Sequence, residues 1–314
     1  REIEESCGAV GTGRFDLVVA NPPYAKLLKN GKRASKNHNM IKLFIQKALD
    51  LLKKEGYILF IVPDNWMSKS DRNKLIEELT SLQIIYLNLY TAKEYFPSIG
   101  SSFTWFVIQK KPASESGSPI KVEGVWKKQK YSSFVNSRTR KFIPQFFNTM
   151  IDSICLKTLE NDKLAKFKIE TTSDLHRYTK RSFLNKEKDE IYKYRLIHTP
   201  TQTVYSSKPH KWQEGYKVFI STTSTYKTFI DTCGMTQSIA FIRCKTEEEA
   251  QLYKKLLDHD LYRFLNNICR WGNFNNIRIL QSFPLPKADT FDEAGSEAGI
   301  WNNFNLTKGE VDFI

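Results

Sequence analysis

Residues 15–24 read Phe-Asp-Leu-Val-Val-Ala-Asn-Pro-Pro-Tyr, an apolar run ending abruptly in Asn-Pro-Pro-aromatic. Phe15, Leu17, Val18, Val19 and Ala20 have the β-branched, apolar character expected of a buried parallel strand. Pro22 and Pro23 stop it. Each fixes φ, lacks an N–H and pushes the residue before it to extended geometry, so Asn21 and Tyr24 are predicted to sit on a stiff turn. In open α/β sheets ligands bind outside the carboxyl ends of the strands, which is where this tetrapeptide falls.

The pattern continues outward as strand and helix units. Met40–Lys53 has apolar residues at Ile41, Phe44, Ile45, Ala48, Leu49 and Leu52, the spacing of an amphipathic helix, with Gly56 as its predicted C-cap. Tyr57–Val62 (YILFIV) reads as a second buried strand, completing a crossover unit of a parallel sheet. After PDNWMSKS a helix is expected over about 71–82, then strands Ile84–Tyr90 and Phe103–Gln109. Pro112–Pro119 (PASESGSP) is a small-residue linker marking a domain edge. Alternatively it is a loop before Ile120–Trp126, which would then be a late strand of the first domain. The expected division is 1–125, 126–290 and an acidic, helical tail at 291–314.

Asn21-Pro22-Pro23-Tyr24, with these units after it in order and spacing, resembles the N6-adenine DNA methyltransferases of restriction-modification systems, in a gamma-like order with a C-terminal target-recognition domain. The resemblance implies an α/β fold: the C-terminal half of a Rossmann-like methyltransferase sheet, followed by a mixed α+β recognition domain. It implies S-adenosylmethionine as cofactor and double-stranded DNA as partner. An exocyclic amine is a poor nucleophile, because its lone pair is delocalised into the ring. Acceptance of its two N–H bonds by the Asn21 side-chain oxygen and the Pro22 carbonyl, on a corner stiffened by Pro23, would free that lone pair. Tyr24 would stack on the flipped base. Pro63 and Trp66 are candidates for the pocket wall, with core packing equally open for Trp66. Phe103, with Phe96 and Trp105 as rivals, is the candidate for the opposite face of the base. Asn21 and Phe44 are the candidates nearest the cofactor. Lys26 lies in a basic loop (KLLKNGKRASKNHN) placed to meet the phosphate backbone.

The family's aromatic-x-Gly-x-Gly turn and the acidic residue of its second strand do not precede Asn21. Gly8-Ala9-Val10-Gly11-Thr12-Gly13 fails as a dinucleotide fingerprint, since no strand precedes it and it leads into a strand. An upstream segment or a second chain is therefore expected to supply the cofactor-binding half, and the start at Arg1 without Met favours a fragment.

The formal charge is +14, and residues 126–230 hold 21 Lys+Arg against 9 Asp+Glu. A basic, aromatic-rich region beside a catalytic one is the footprint of phosphate binding. HTPTQTVYSS and HKWQEGYKVFISTTSTYKTFI alternate apolar with hydroxyl- and amide-bearing residues, as strands able to address base edges would. Thr246–Asn266 reads as one helix with Thr246 as N-cap. In the following Gly-Asn-rich loop Arg270, Trp271, Asn273 and Asn275 are candidate DNA contacts.

Five cysteines without a CxxC pair and five scattered histidines indicate neither a metal site nor a disulfide framework. A reducing, cytoplasmic setting fits. No apolar run reaches the roughly eighteen residues that span a bilayer. Two other classes stay open: a protein-glutamine or RNA-adenine methyltransferase, whose acceptor nitrogen poses the same problem, and a recognition module without catalysis.

Overall fold

The apolar run forms a strand, β1 (Phe15–Ala20), but at the edge of its sheet and not in its interior. Phe15, Leu17 and Val19 are 44%, 52% and 61% exposed, which corrects the expectation of burial on both faces. The computed structural model describes residues 12–24, 39–69, 74–89, 92–97, 102–114, 117–223, 225–271, 274–287 and 297–314. The chain divides into two compact units, Arg1–Asp152 and Ser153–Ile314.

In the first unit, α1 (Asn39–Leu51) leads into β2 (Leu52–Pro63), which runs parallel to β1 with Ala20 opposite Phe60. Ile58, Phe60 and Val62 are buried on one face of β2, the period-2 pattern of a strand on a core. Gly56 is not a helix cap. The helix ends at Leu51, and Gly56 lies within β2 opposite an irregularity in β1. A Cβ there would sit 3.1 Å from the Asp16 carbonyl oxygen and 3.2 Å from that of Lys53, so the close backbone approach is what requires glycine.

A short 3-10 turn (Asp64–Met67), α2 (Leu75–Thr80), β3 (Leu82–Leu89), α3 (Ala92–Tyr95), β4 (Phe103–Pro112), β5 (Ile120–Trp126) and β6 (Gln129–Val135) follow. The sheet order is β1-β2-β4-β3-β5-β6. β4 lies antiparallel between β2 and β3, with Pro63 opposite Phe103, so the sheet is mixed where a parallel one was expected. β5 pairs parallel with β3 and forms a hairpin with β6, so Ile120–Trp126 is a strand of this sheet and the edge expected at 125/126 falls inside the unit. Near the unit's end the buried Arg140 guanidinium pairs with Asp152, donates to the Asn136 carbonyl at 2.8 Å and lies 4.6 Å over the Phe147 ring. Asp152 belongs to α4 (Thr149–Lys157).

Among its described residues the second unit holds two sheets. One has four strands, built from β7 (Leu184–Asn185), β8 (Tyr194–Thr199), β9 (Gln202–Ser206) and, from later in the chain, β12 (Gly234–Met235). The other is antiparallel, with β10 (Lys217–Ser221) flanked by β11 (Thr228–Asp231) and β13 (Ile239–Arg243). β10 is buried along its whole length, so its residues form core and do not present an alternating polar face. Lys217 stays satisfied because its ammonium donates to the carbonyls of Glu214, Gly215 and Thr232 at 2.9, 2.6 and 2.7 Å. The expected helix 246–266 is two: α5 (Glu247–Leu257), capped by Thr246, and α6 (Asp260–Ile268), capped by the His259 ring accepting from the Leu261 N–H. After α7 (Ile277–Leu280) and α8 (Glu297–Asn303), α9 (Lys308–Phe313) starts with a Thr307/Glu310 capping box. The Glu310 carboxylate accepts from Ser153 and Lys157 at 2.6 and 2.7 Å, so this end of the acidic tail is anchored.

Candidate active site

β1 delivers Asn21 to the carboxyl end of the sheet, where the Pro-Pro step turns the chain. Pro22 is buried, Asn21 and Pro23 are exposed, and Tyr24 is half-buried. The Tyr24 hydroxyl donates to Asn21 Oδ1 at 2.5 Å, and burial raises the phenol's pKa above its ordinary value. The Tyr24 ring lies 5.7 Å from that of Phe103, tilted by 45°, and Phe96 meets Phe103 at 6.2 Å. Phe103 is only 5% exposed and is set by pairing with Pro63 at the end of β2. The structure thus brings Asn21, Pro22, Tyr24, Pro63, Phe96 and Phe103 to one corner.

That corner is closed. A base sandwiched between two rings needs two stacking gaps of about 3.5 Å, roughly 7 Å in all, and the tilted 5.7 Å pair leaves less. Asn21 Oδ1 has a second lone pair, so it can still accept an amine proton while bonded to Tyr24.

The other predicted residues lie elsewhere. Trp66 is 1% exposed and meets Phe106 edge-on at 5.4 Å, a core side chain. Trp105 lies over Tyr86 at 4.5 Å, lining a separate 440 Å³ hollow with Asn88, Tyr95 and Glu123. Phe44 is half-buried on α1. Lys26 and Asn273 fall outside the described residues. In the second unit Arg270 and Trp271 are partly exposed beyond α6, whereas Asn275 is buried, donating to the Ser221 carbonyl at 2.8 Å and accepting from Asn266 at 3.0 Å. It is a structural residue.

Asp64 was missed by the sequence reading. It follows Pro63 directly, and its N–H donates to the Ser102 carbonyl at 3.3 Å, beside Phe103. Burial pushes its carboxyl up to about 7, against a smaller lowering by a hydrogen bond with the Ser102 side chain. An acid placed directly after a proline-terminated strand was the available signal. Among the described residues no group of three or more His, Cys, Asp or Glu is placed to hold a metal, and no helix is long and apolar enough to cross a membrane.

Residues 2–94 match the family model for the Eco57I restriction-modification methylase. The chain is 27% identical over 104 residues to a protein of Methanocaldococcus jannaschii named as a type II restriction enzyme and methyltransferase, RM.MjaORFECS2P, covering 31% of this chain and 9% of that one. Among solved structures, the type IIL restriction-modification enzyme MmeI in complex with DNA aligns at a TM-score of 0.52 and 8% identity, over 91% of this chain and 49% of that chain. The DrdV–DNA complex aligns at 0.47 and 10% identity, over 91% and 43%. The likeness to MmeI is one of fold. The chain spans about half of the MmeI chain and a tenth or less of the archaeal relative.

Proposed function

We propose that this chain is the catalytic and target-recognition portion of a DNA adenine-N6 methyltransferase of a restriction-modification system, with S-adenosylmethionine as methyl donor. The observation that carries the reading is the Asn21–Tyr24 corner, held against Phe103 at the carboxyl end of β1. The match of residues 2–94 to a restriction-modification methylase supports it. Bound S-adenosylmethionine would supply an electrophilic methyl group. The residues described fit the acceptor side of that reaction. Asn21 Oδ1 and the Pro22 carbonyl accept hydrogen bonds from the two amine N–H groups, Tyr24 swings from Phe103 to stack on the extruded base, and Phe103 backs the opposite face. Transfer is direct, without a covalent enzyme intermediate.

The ribose and methionine ends of the cofactor need partners beyond Asn21 and Phe44. The apolar side chains exposed along β1 support completion of the sheet there by an upstream segment or a second chain. The basic stretch 126–230 supplies part of the grip on double-stranded DNA, with Arg270, Trp271 and Asn273 of the second unit and Lys26 of the first as further contacts.

The test is a tritiated-methyl transfer assay on duplex DNA, RNA and protein, using the chain alone and with its completing half. Label on adenine N6 of DNA, only in the completed sample, is the expected result. Label on glutamine or RNA would reject the DNA reading, and none on any substrate would leave a recognition module.

A further inference from the structure

The second unit carries a hollow of about 550 Å³ lined by Arg177, Tyr178, Arg181, Asn185 and Lys186 over an apolar floor that includes Leu184. We propose that it takes phosphodiester groups of a nucleic-acid backbone, with the two guanidiniums and the ammonium gripping phosphate oxygens and Tyr178 lying against a sugar. The inference rests on the reading of this unit as DNA-binding, and it places the grip far in sequence from Arg270 and Trp271.

The cations of the hollow stand without carboxylate partners, whereas some others of this unit are matched: Arg195 with Asp231, Arg243 with Glu170, Lys254 with Asp258, Lys157 with Glu310. Arg177, Arg181 and Lys186 form no ion pair among the described residues. Arg181 instead lies 5.8 Å over the Tyr178 ring, and next to it Lys208 lies 4.1 Å over Phe183. A ring face orients a cation without cancelling its charge. Asp189, on the loop after Lys186, accepts from the N–H groups of Ile191 and Tyr192 at 2.8 and 2.6 Å and does not line the hollow. Glu187 and Glu190 are exposed on the same loop and do not line the hollow.

Three cations without an ion pair line this one hollow, which suits a ligand with more than one negative charge. Guanidiniums match phosphate oxygens in geometry as well as in sign. Tyr178, 62% exposed, adds a flat apolar face, which a nucleotide presents a partner for and an inorganic anion does not. Contacts of this kind fix position and carry no base sequence.

The experiment is duplex binding by the completed protein, followed by fluorescence anisotropy across a salt series, for wild type and Arg177→Ala/Arg181→Ala. With about 0.9 counterion released per phosphate contact, the double variant should lower the slope of log affinity against log salt by about 2. Its affinity should fall by a similar factor for target and non-target duplexes. Arg177→Lys/Arg181→Lys should keep most of the slope. Thermal unfolding like that of wild type checks that the substitutions leave the fold alone. An unchanged slope and affinity in the alanine variant would overturn the proposal. So would protection of these arginines from a guanidinium reagent by inorganic phosphate but not by duplex, which would assign the hollow to a small anion. A completed wild-type protein that binds no duplex at all rejects the underlying DNA reading as well.

Discussion

Tyr24 acts on Asn21 through its hydroxyl and on Phe103 through its ring. Its substitutions should therefore separate. Tyr24→Phe keeps the stacking face and frees Asn21, so methyl transfer should stay within a few-fold of wild type. Tyr24→Ala removes the face and should weaken capture of the base by roughly 1–3 kcal/mol, read as a rise in KM for duplex. Asn21→Ala should cut transfer by about a hundredfold or more while duplex binding changes only a few-fold; equal activity would remove the mechanism. Asp64 makes a pH prediction. Its folded-state pKa, about 7, lies above the ordinary value of 3.8, so its stabilisation is complete below that ordinary value and is lost as pH rises through 7. Asp64→Asn should thus be more stable than wild type at pH 8, on the order of 1–2 kcal/mol after allowance for partial exposure, and gain nothing near pH 4. Thermal melts at the two pH values decide it.

Among the elements, the Arg140–Asp152 pair is the most exacting, because neither partner has water to fall back on. Asp152→Ala leaves a guanidinium buried against Phe147 and takes the acceptor from Arg138 as well, and should destabilise the first unit by about 3–5 kcal/mol in urea unfolding; the paired replacement Arg140→Met/Asp152→Leu should recover only part of that loss, because the Arg138 guanidinium still loses its 3.0 Å bond to Asp152. Gly124→Ala would bring a methyl within 2.8 Å of the Tyr131 hydroxyl, straining the β5–β6 hairpin. The existence of β1, β2, β4 and β5 was legible because each is an apolar run closed by proline, glycine or a polar cluster. Their order was not: nothing local to Phe103–Gln109 states that this strand enters antiparallel between two others. The break at His259 escaped because the apolar stripe runs through it, with Leu261 and Phe264 buried as expected, while the cap is made by a histidine ring instead of one of the usual N-cap residues. The corner itself was legible as residue types, and Phe103 with it. The core placement of Trp66 and the buried acid at Asp64 depend on depth, which periodicity does not encode.

At the scale of the whole molecule, Phe15, Leu17 and Val19 form an exposed apolar row on β1. Leu17→Thr/Val19→Thr should reduce concentration-dependent self-association of the isolated chain in light scattering and weaken its pairing with a completing half. The two compact units each carry their own sheets, so the events of one can be followed separately from the other. Lys217 offers the means. An amine enclosed by three carbonyls, its pKa lowered by burial, cannot turn a lone pair outward while β10 stays between its neighbours. Among the lysines of the second unit it should be the last to be acylated by an amine-reactive ester. The denaturant concentration at which it first takes the label would time the opening of that one sheet, a chemical clock written into the chain at a single residue.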